Sequence, residues 1–204
     1  MISAIVRLIP LLIITSIIVY KLKKSKITKK KFFIKLTPVI GFLLLIVALF
    51  FPVENLLVNF DSPQAVFRYW YGFSKINNII YGKDSAWVFY SSNGIMFVPK
   101  TENGYKIPNI FTYKRELGGS DGFAYVVHHI SGTNDYYLFV SSVIEGDIVY
   151  ILDKESKDIR AKAEKSKTTK IRDVEWSYFY VYVEGFSESD EVIIVKEGNE
   201  IELE

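Results

Sequence analysis

Apolar residues are distributed in two ways along this chain. Up to Val53 they form long runs, Ile2 to Tyr20 and Leu36 to Val53, whereas after Asn77 they form short stretches bounded by turn residues. Runs of the first kind predict helices buried on every side. Short stretches with β-branched and aromatic residues predict strands. Leu36 to Val53 holds 18 residues without a charge, about 27 Å of helix at 1.5 Å per residue, close to the ~30 Å hydrocarbon core of a bilayer. The pattern therefore predicts two membrane spans, about 2–20 and 36–53, joined by a basic loop over 21–35.

Downstream, Ala86 to Tyr90 and Ile95 to Val98 flank Ser92-Asn93-Gly94, a hairpin signal because a type I′ turn needs positive φ at both central residues. Asn103-Gly104 before Tyr105 to Ile107 repeats the device. Phe123 to Ile130 and Tyr136 to Val143 flank Ser131 to Asp135 as a third hairpin. Ile148 to Leu152, Val174 to Val183 and Val192 to Val195 are further strands, with Ile79 to Tyr81 and Ile201 to Leu203 weaker candidates. The expected fold is α+β: a transmembrane helical hairpin, a short tether over 54–61, then a mostly antiparallel β-rich domain over 62–204, sheet or sandwich, with one short N-terminal helix. Lys154 to Asp173 interrupts the strands with eight bases and four acids and reads as a solvated excursion: helix, ragged hairpin or mobile loop.

Charge sharpens the first half of this picture. Residues 1–53 carry nine bases and no acid, whereas the remainder carries 16 bases and 23 acids, a balance of −7. Lys21, Lys23, Lys24, Lys26, Lys29, Lys30, Lys31 and Lys35 crowd the loop between the two runs. By the positive-inside rule they set the topology, keeping the loop cytoplasmic and placing both the N-terminus and the C-terminal domain outside the cell. A cleaved signal peptide fits less well, because lysines follow the first run where a small-residue cleavage site belongs. The expected location is thus a multi-pass protein of a bacterial cell membrane, with the lipid bilayer as first partner and no nucleic acid.

Asp61-Ser62-Pro63-Gln64-Ala65-Val66-Phe67 reads as a helix start, with Ser62 or Asp61 as cap and Pro63 in the first turn. Val66, Trp70 and Phe73 form the predicted buried stripe. This Ser-Pro-Gln-Ala-Val-Phe wording resembles the Ser-Pro-Glu-Glu-Ala-Phe opening of extracytoplasmic domains in small, functionally uncharacterised membrane proteins of Gram-positive bacteria that carry a two-helix anchor. The resemblance covers about a dozen residues, with Gln64 where the family has an acid. It implies a location, not an activity.

Chemistry-bearing motifs are sparse. Zero cysteines exclude disulfides, thiol nucleophiles and thiolate metal sites. The two histidines, His128 and His129, are neighbours on a predicted strand and point to opposite faces, so they cannot readily share a metal. No GxSxG elbow, phosphate loop or dinucleotide fingerprint is present. Asp121, in Gly118-Gly119-Ser120-Asp121-Gly122, and the Asp153, Glu155, Asp158 group read as ordinary turns. No catalytic, cofactor or metal residue is assigned.

The most suggestive feature is Trp176, Tyr178, Tyr180 and Tyr182, which alternation places on one strand face opposite Phe179, Val181 and Val183. Such a row suits sugar stacking or a protein interface, unless the strand is central or covered by the helix. The expected function is non-catalytic binding or scaffolding, as an accessory subunit of an envelope complex, with another membrane protein or an envelope glycan as further partner. Two alternatives remain open: an envelope hydrolase with a site near His129 and Asp121, and a sensor subunit that signals through the helical hairpin with an obligatory partner.

Overall fold

The computed structural model describes residues 13, 15–21, 23–24, 36–44, 52–72, 74–91, 94–109 and 111–196. Among them, twelve strands pair entirely antiparallel. A four-stranded sheet has the order β1 (Ile76–Tyr81), β2 (Ser85–Tyr90), β3 (Gly94–Thr101), β4 (Gly104–Tyr105). The central sheet has five strands and runs from β10 (Lys167–Ile171) through β11 (Val174–Glu184), β7 (Asp135–Ser142) and β6 (Phe123–Ile130) to β5 (Tyr113–Ser120). A third sheet of three strands contains β12 (Asp190–Val195), β8 (Ile148–Asp153) and β9 (Ile159–Glu164).

Turn chemistry sets the registers. Tyr90 pairs with Gly94 and Thr101 with Gly104, closing the two predicted hairpins of the first sheet. Gly104 adopts φ +120, and a Cβ built there would stand 2.6 Å from the carbonyl oxygen of Phe60. Glycine alone permits that backbone and the Phe60–Tyr105 bridge beside it.

Side-chain alternation then stacks the layers. On the first sheet, Val88, Met96 and Val98 pack under Val66, Phe67 and Ile107, while Trp87, Phe89 and Phe97 face the central sheet and meet Ile130, Tyr137 and Tyr180. The opposite face of the central sheet, with Val127, Leu138, Val140, Phe179, Val181 and Val183, packs on Val149, Ile151 and Val192 of the third. Arg160 ties the far edge together, donating to both carboxylate oxygens of Asp190 at 2.6 Å and to the carbonyl of Gly185 at 2.7 Å.

The Pro63–Tyr71 helix covers the outer face of the first sheet. Ser62 Oγ accepts from the Ala65 amide at 3.2 Å, Pro63 occupies the first turn, and Gly72 ends the helix. Its buried stripe is Pro63, Val66 and Phe67, with Trp70 half-buried. Phe67 rather than Trp70 is central because its ring meets Tyr90 at 4.9 Å; Phe73 lies outside the described residues. Ser62→Ala should cost about 1 kcal/mol, the usual loss of an N-cap hydroxyl, read as a lower urea midpoint with unchanged slope. An unchanged midpoint would mean that the cap bond is idle. Residues 54–61, read from the sequence as a tether, dock on the domain: Asn55 exchanges side-chain hydrogen bonds with the Ile107 backbone, both at 2.8 Å, and Lys106 donates to the Asn55 carbonyl at 2.5 Å.

The α+β class with a transmembrane hairpin is corrected. The fold is mostly antiparallel β, and among the described residues no helix is long and apolar enough to cross a membrane. The expected multi-pass membrane location and the transmembrane label fall with it. The remainder of both predicted spans, 2–12, 14 and 45–51, lies outside the described residues, as do Lys26, Lys29, Lys30, Lys31 and Lys35. Lys21, Lys23 and Lys24 fall on helical residues, and Lys24 Nζ sits 4.6 Å from the Tyr20 ring centre. The two helical stretches meet at Gly41, where a built Cβ would stand 3.0 Å from Thr15 Oγ1.

Lys154–Asp173 is a pair of strands. A turn leads into β9, which pairs with β8, and β10 pairs with β11. The predicted strand Ile201 to Leu203 lies outside the described residues.

Candidate functional site

The first and central sheets touch tightly at one end and part at the other. At the closed end, the turn between β1 and β2 is clamped by the fully buried carboxylate of Asp135 at the start of β7. Asp135 accepts from Ser85 Oγ at 2.5 Å, from the Asp84 amide at 2.8 Å and from the Tyr182 hydroxyl at 2.9 Å, with the Lys83 amide at 3.3 Å. Ser85 and Tyr137 share a hydrogen bond of 2.9 Å. Burial pushes the Tyr137 hydroxyl well up and that of Tyr182 up to about 12. Ser85, Asp135 and Tyr137 are each fully buried, so this group holds the sheets together and meets no substrate.

At the open end the sheets enclose a cleft of about 940 Å³, within the range of small-molecule sites. Register fixes its floor. Arg115 pairs with His128 across β5 and β6, Val126 with Phe139 across β6 and β7, Phe139 with Tyr180 across β7 and β11, and Tyr178 with Lys167 across β11 and β10. Directly paired residues share a face, so this series runs from one edge of the central sheet to the other. The opposite wall is the first sheet, through Trp87, Phe89, Tyr90 and the Asn77-Asn78 pair.

Aromatic rings dominate the lining. Phe89 meets Tyr180 at 4.5 Å and Tyr178 stacks on Phe139 at 5.7 Å with 12° between planes. Burial, then the neighbouring Tyr71, pushes Tyr90 up to about 12; burial also raises Tyr180. His128 is 6% exposed and set among Trp87, Phe97 and Tyr113, with ring centres at 6.1, 4.8 and 5.3 Å. Desolvation, then the Arg115 charge, holds its pKa down at about 4, so its ring is neutral at pH 7. Trp87 Nε1 and His128 Nδ1 are buried without a hydrogen-bond partner.

The aromatic row predicted on β11 is divided by these surroundings. Tyr182 lies in the clamp, Tyr180 is wedged against Trp87 and Phe89, Tyr178 forms part of the cleft floor, and Trp176 pairs with Thr169 farther along the strand. The covering element is the first sheet, not the helix. His129 and Asp121 do not meet: His129 bonds the Thr133 carbonyl at 2.9 Å and stacks on Tyr136 at 4.3 Å, whereas Asp121 is exposed in the turn before Phe123. Six residues of strand, roughly 20 Å, separate the two ends. Among the described residues no group of three or more His, Asp or Glu side chains is placed to hold a metal ion.

Sequence reasoning missed Trp87, His128, Arg115 and Lys167 as members of one site. Their only linear signal is alternation on four separate strands, and the register that unites them is a tertiary property. No protein-family model matches the chain, and neither a curated protein nor a solved structure matches it.

Proposed function

We propose that this protein is a non-catalytic binding module that takes the rings of a glycan in the cleft between its first and central sheets. The observation that carries this reading is the aromatic lining of the open cleft, with Tyr178, Tyr180 and Phe139 on one wall and Phe89 on the other. Sugar rings present apolar C–H faces that suit Tyr178, Tyr180 and Phe89. Binding rather than catalysis is supported by the setting of His128, which is enclosed by aromatic rings and neutral at pH 7, and by the distance between His129 and Asp121.

The test is retention of the full chain on an immobilised library of oligosaccharides of varied linkage, with Tyr178→Ala alongside. Wild type should be retained, and Tyr178→Ala should bind about three- to tenfold more weakly, the usual worth of one aromatic contact beyond its area. No retention on any glycan, or equal retention of the variant, would overturn the reading.

A further inference from the structure

We infer that the glycan is acidic and extended, lying across the strands of the central sheet with its anionic groups at Lys167 on one edge and Arg115 on the other. This rests on the cleft being the binding site and adds the charge, length and direction of the ligand.

Three observations converge. First, among the described residues Arg115 and Lys167 are the only charged residues lining the cleft, and no carboxylate lines it. That is unexpected for a chain whose residues after Val53 sum to −7. Neither side chain is in an ion pair among the described residues, although Lys83, Arg160, Lys165, Lys170 and Lys196 are. Two free cations in an acid-free cleft attract an anion locally whatever the net charge.

Second, the cations sit on opposite edge strands. β10 and β5 are separated by β11, β7 and β6, four inter-strand steps of ~4.8 Å, or roughly 19 Å. The registers also offset them along the strands, since Arg115 shares a row with Tyr137 and Lys167 shares a row with Ser141. A single sugar cannot touch both; a chain of several can. Third, the path between them is paved with Tyr178, Phe139, Tyr180 and Val126, surfaces that take ring faces without demanding one hydroxyl pattern. A single-stranded nucleic acid would share the anion and the stacking. Two cations on a surface of net negative charge are too few for it, because phosphate neutralisation carries most of that affinity.

The test uses the full chain and two soluble probes with the same rings and linkages: a hexamer of galacturonic acid and its fully methyl-esterified, uncharged form. The acid should bind more tightly than the ester, and added salt should erase that advantage. Arg115→Gln and Lys167→Gln should each weaken acid binding about two- to fivefold, as exposed charges do, and leave the ester unchanged. The galacturonic acid monomer should feel neither substitution strongly. If acid and ester bind alike and both lose affinity in Tyr178→Ala, the anionic inference fails and the cleft reading stands. If neither hexamer binds, the inference fails again, and the library experiment with Tyr178→Ala then decides the cleft reading separately. Tighter binding of a thymidine oligonucleotide than of the acid hexamer would overturn the glycan in favour of nucleic acid.

Discussion

Asp135→Ala should destabilise the protein by about 3–5 kcal/mol, the range seen when one side of a buried charged hydrogen-bond network is deleted. The carboxylate accepts from a hydroxyl of each sheet, Ser85 Oγ at 2.5 Å and Tyr182 at 2.9 Å, and from the Asp84 amide at 2.8 Å. Alanine leaves these donors buried and unmatched, and that desolvation, more than the lost bonds, sets the magnitude. Water cannot easily replace them. Gly82 is packed so closely that a Cβ there would fall 2.5 Å from both Asp135 Oδ2 and the Tyr137 hydroxyl. Asp135→Asn keeps one accepting oxygen and should lose less, and Ser85→Ala less again. Urea unfolding of the full chain gives the comparison through midpoint and slope. A loss below about 1 kcal/mol for Asp135→Ala would mean that the clamp does not hold the two sheets together.

Because the clamp joins the sheets at one end only, it also explains why a cleft exists. Trp87 and Phe97 pack on Tyr137 near the clamp, at 5.6 and 5.7 Å between ring centres. Farther along, Tyr180 still meets Phe89 at 4.5 Å, whereas Tyr178 stacks on Phe139 of its own sheet. Loss of the clamp should therefore weaken ligand binding as well as stability.

What was legible in the sequence follows from how far each signal reaches. The hairpins at Ser92-Asn93-Gly94, Asn103-Gly104 and Ser131 to Asp135 are local, since a turn that needs glycine or an Asx residue announces itself within a few positions. The alternation of β11 was equally local and correct in phase, with Phe179, Val181 and Val183 fully buried. Three strands escaped notice, β5, β9 and β10. In β9 the inward residues Ala161 and Ala163 are too small to mark a face among their lysines. In β5, Lys114 to Leu117 is exposed because the strand is an edge, so no apolar period forms. The membrane reading failed for another reason. It took the apolar runs as spanning helices, whereas among the described residues no helix is long and apolar enough to cross a membrane.

The cleft could not be read from the sequence because His128 and His129 are indistinguishable there. Both are histidines on one strand, and only the packing of the first sheet decides which is buried. The structure buries His128 between sheets and leaves His129 stacked on Tyr136 on the far face.

That burial gives the second large expected effect. Folding holds His128 neutral, with a pKa near 4 against 6.5 for the free side chain, first through desolvation and then through the Arg115 charge. Above pH 6.5 the ring is neutral in both the folded and the unfolded chain, so its titration contributes nothing. As pH falls below 6.5 the unfolded chain takes up a proton that the folded one refuses, and stability drops until about pH 4, where the folded ring also titrates. A shift of this size corresponds to about 3 kcal/mol at 1.36 kcal/mol per pH unit. His128→Phe keeps a ring of similar shape and removes the proton site. Wild type should therefore lose about 3 kcal/mol more than the variant between pH 7 and pH 4, measured as the difference between their urea unfolding free energies. Asp153, held below its usual 3.8 by the Ser156 and Glu155 amides, titrates in a lower window and is common to both proteins, so it cancels. Parallel pH dependence of stability in wild type and His128→Phe would show that the ring is hydrated in solution and that the sheets do not close over it.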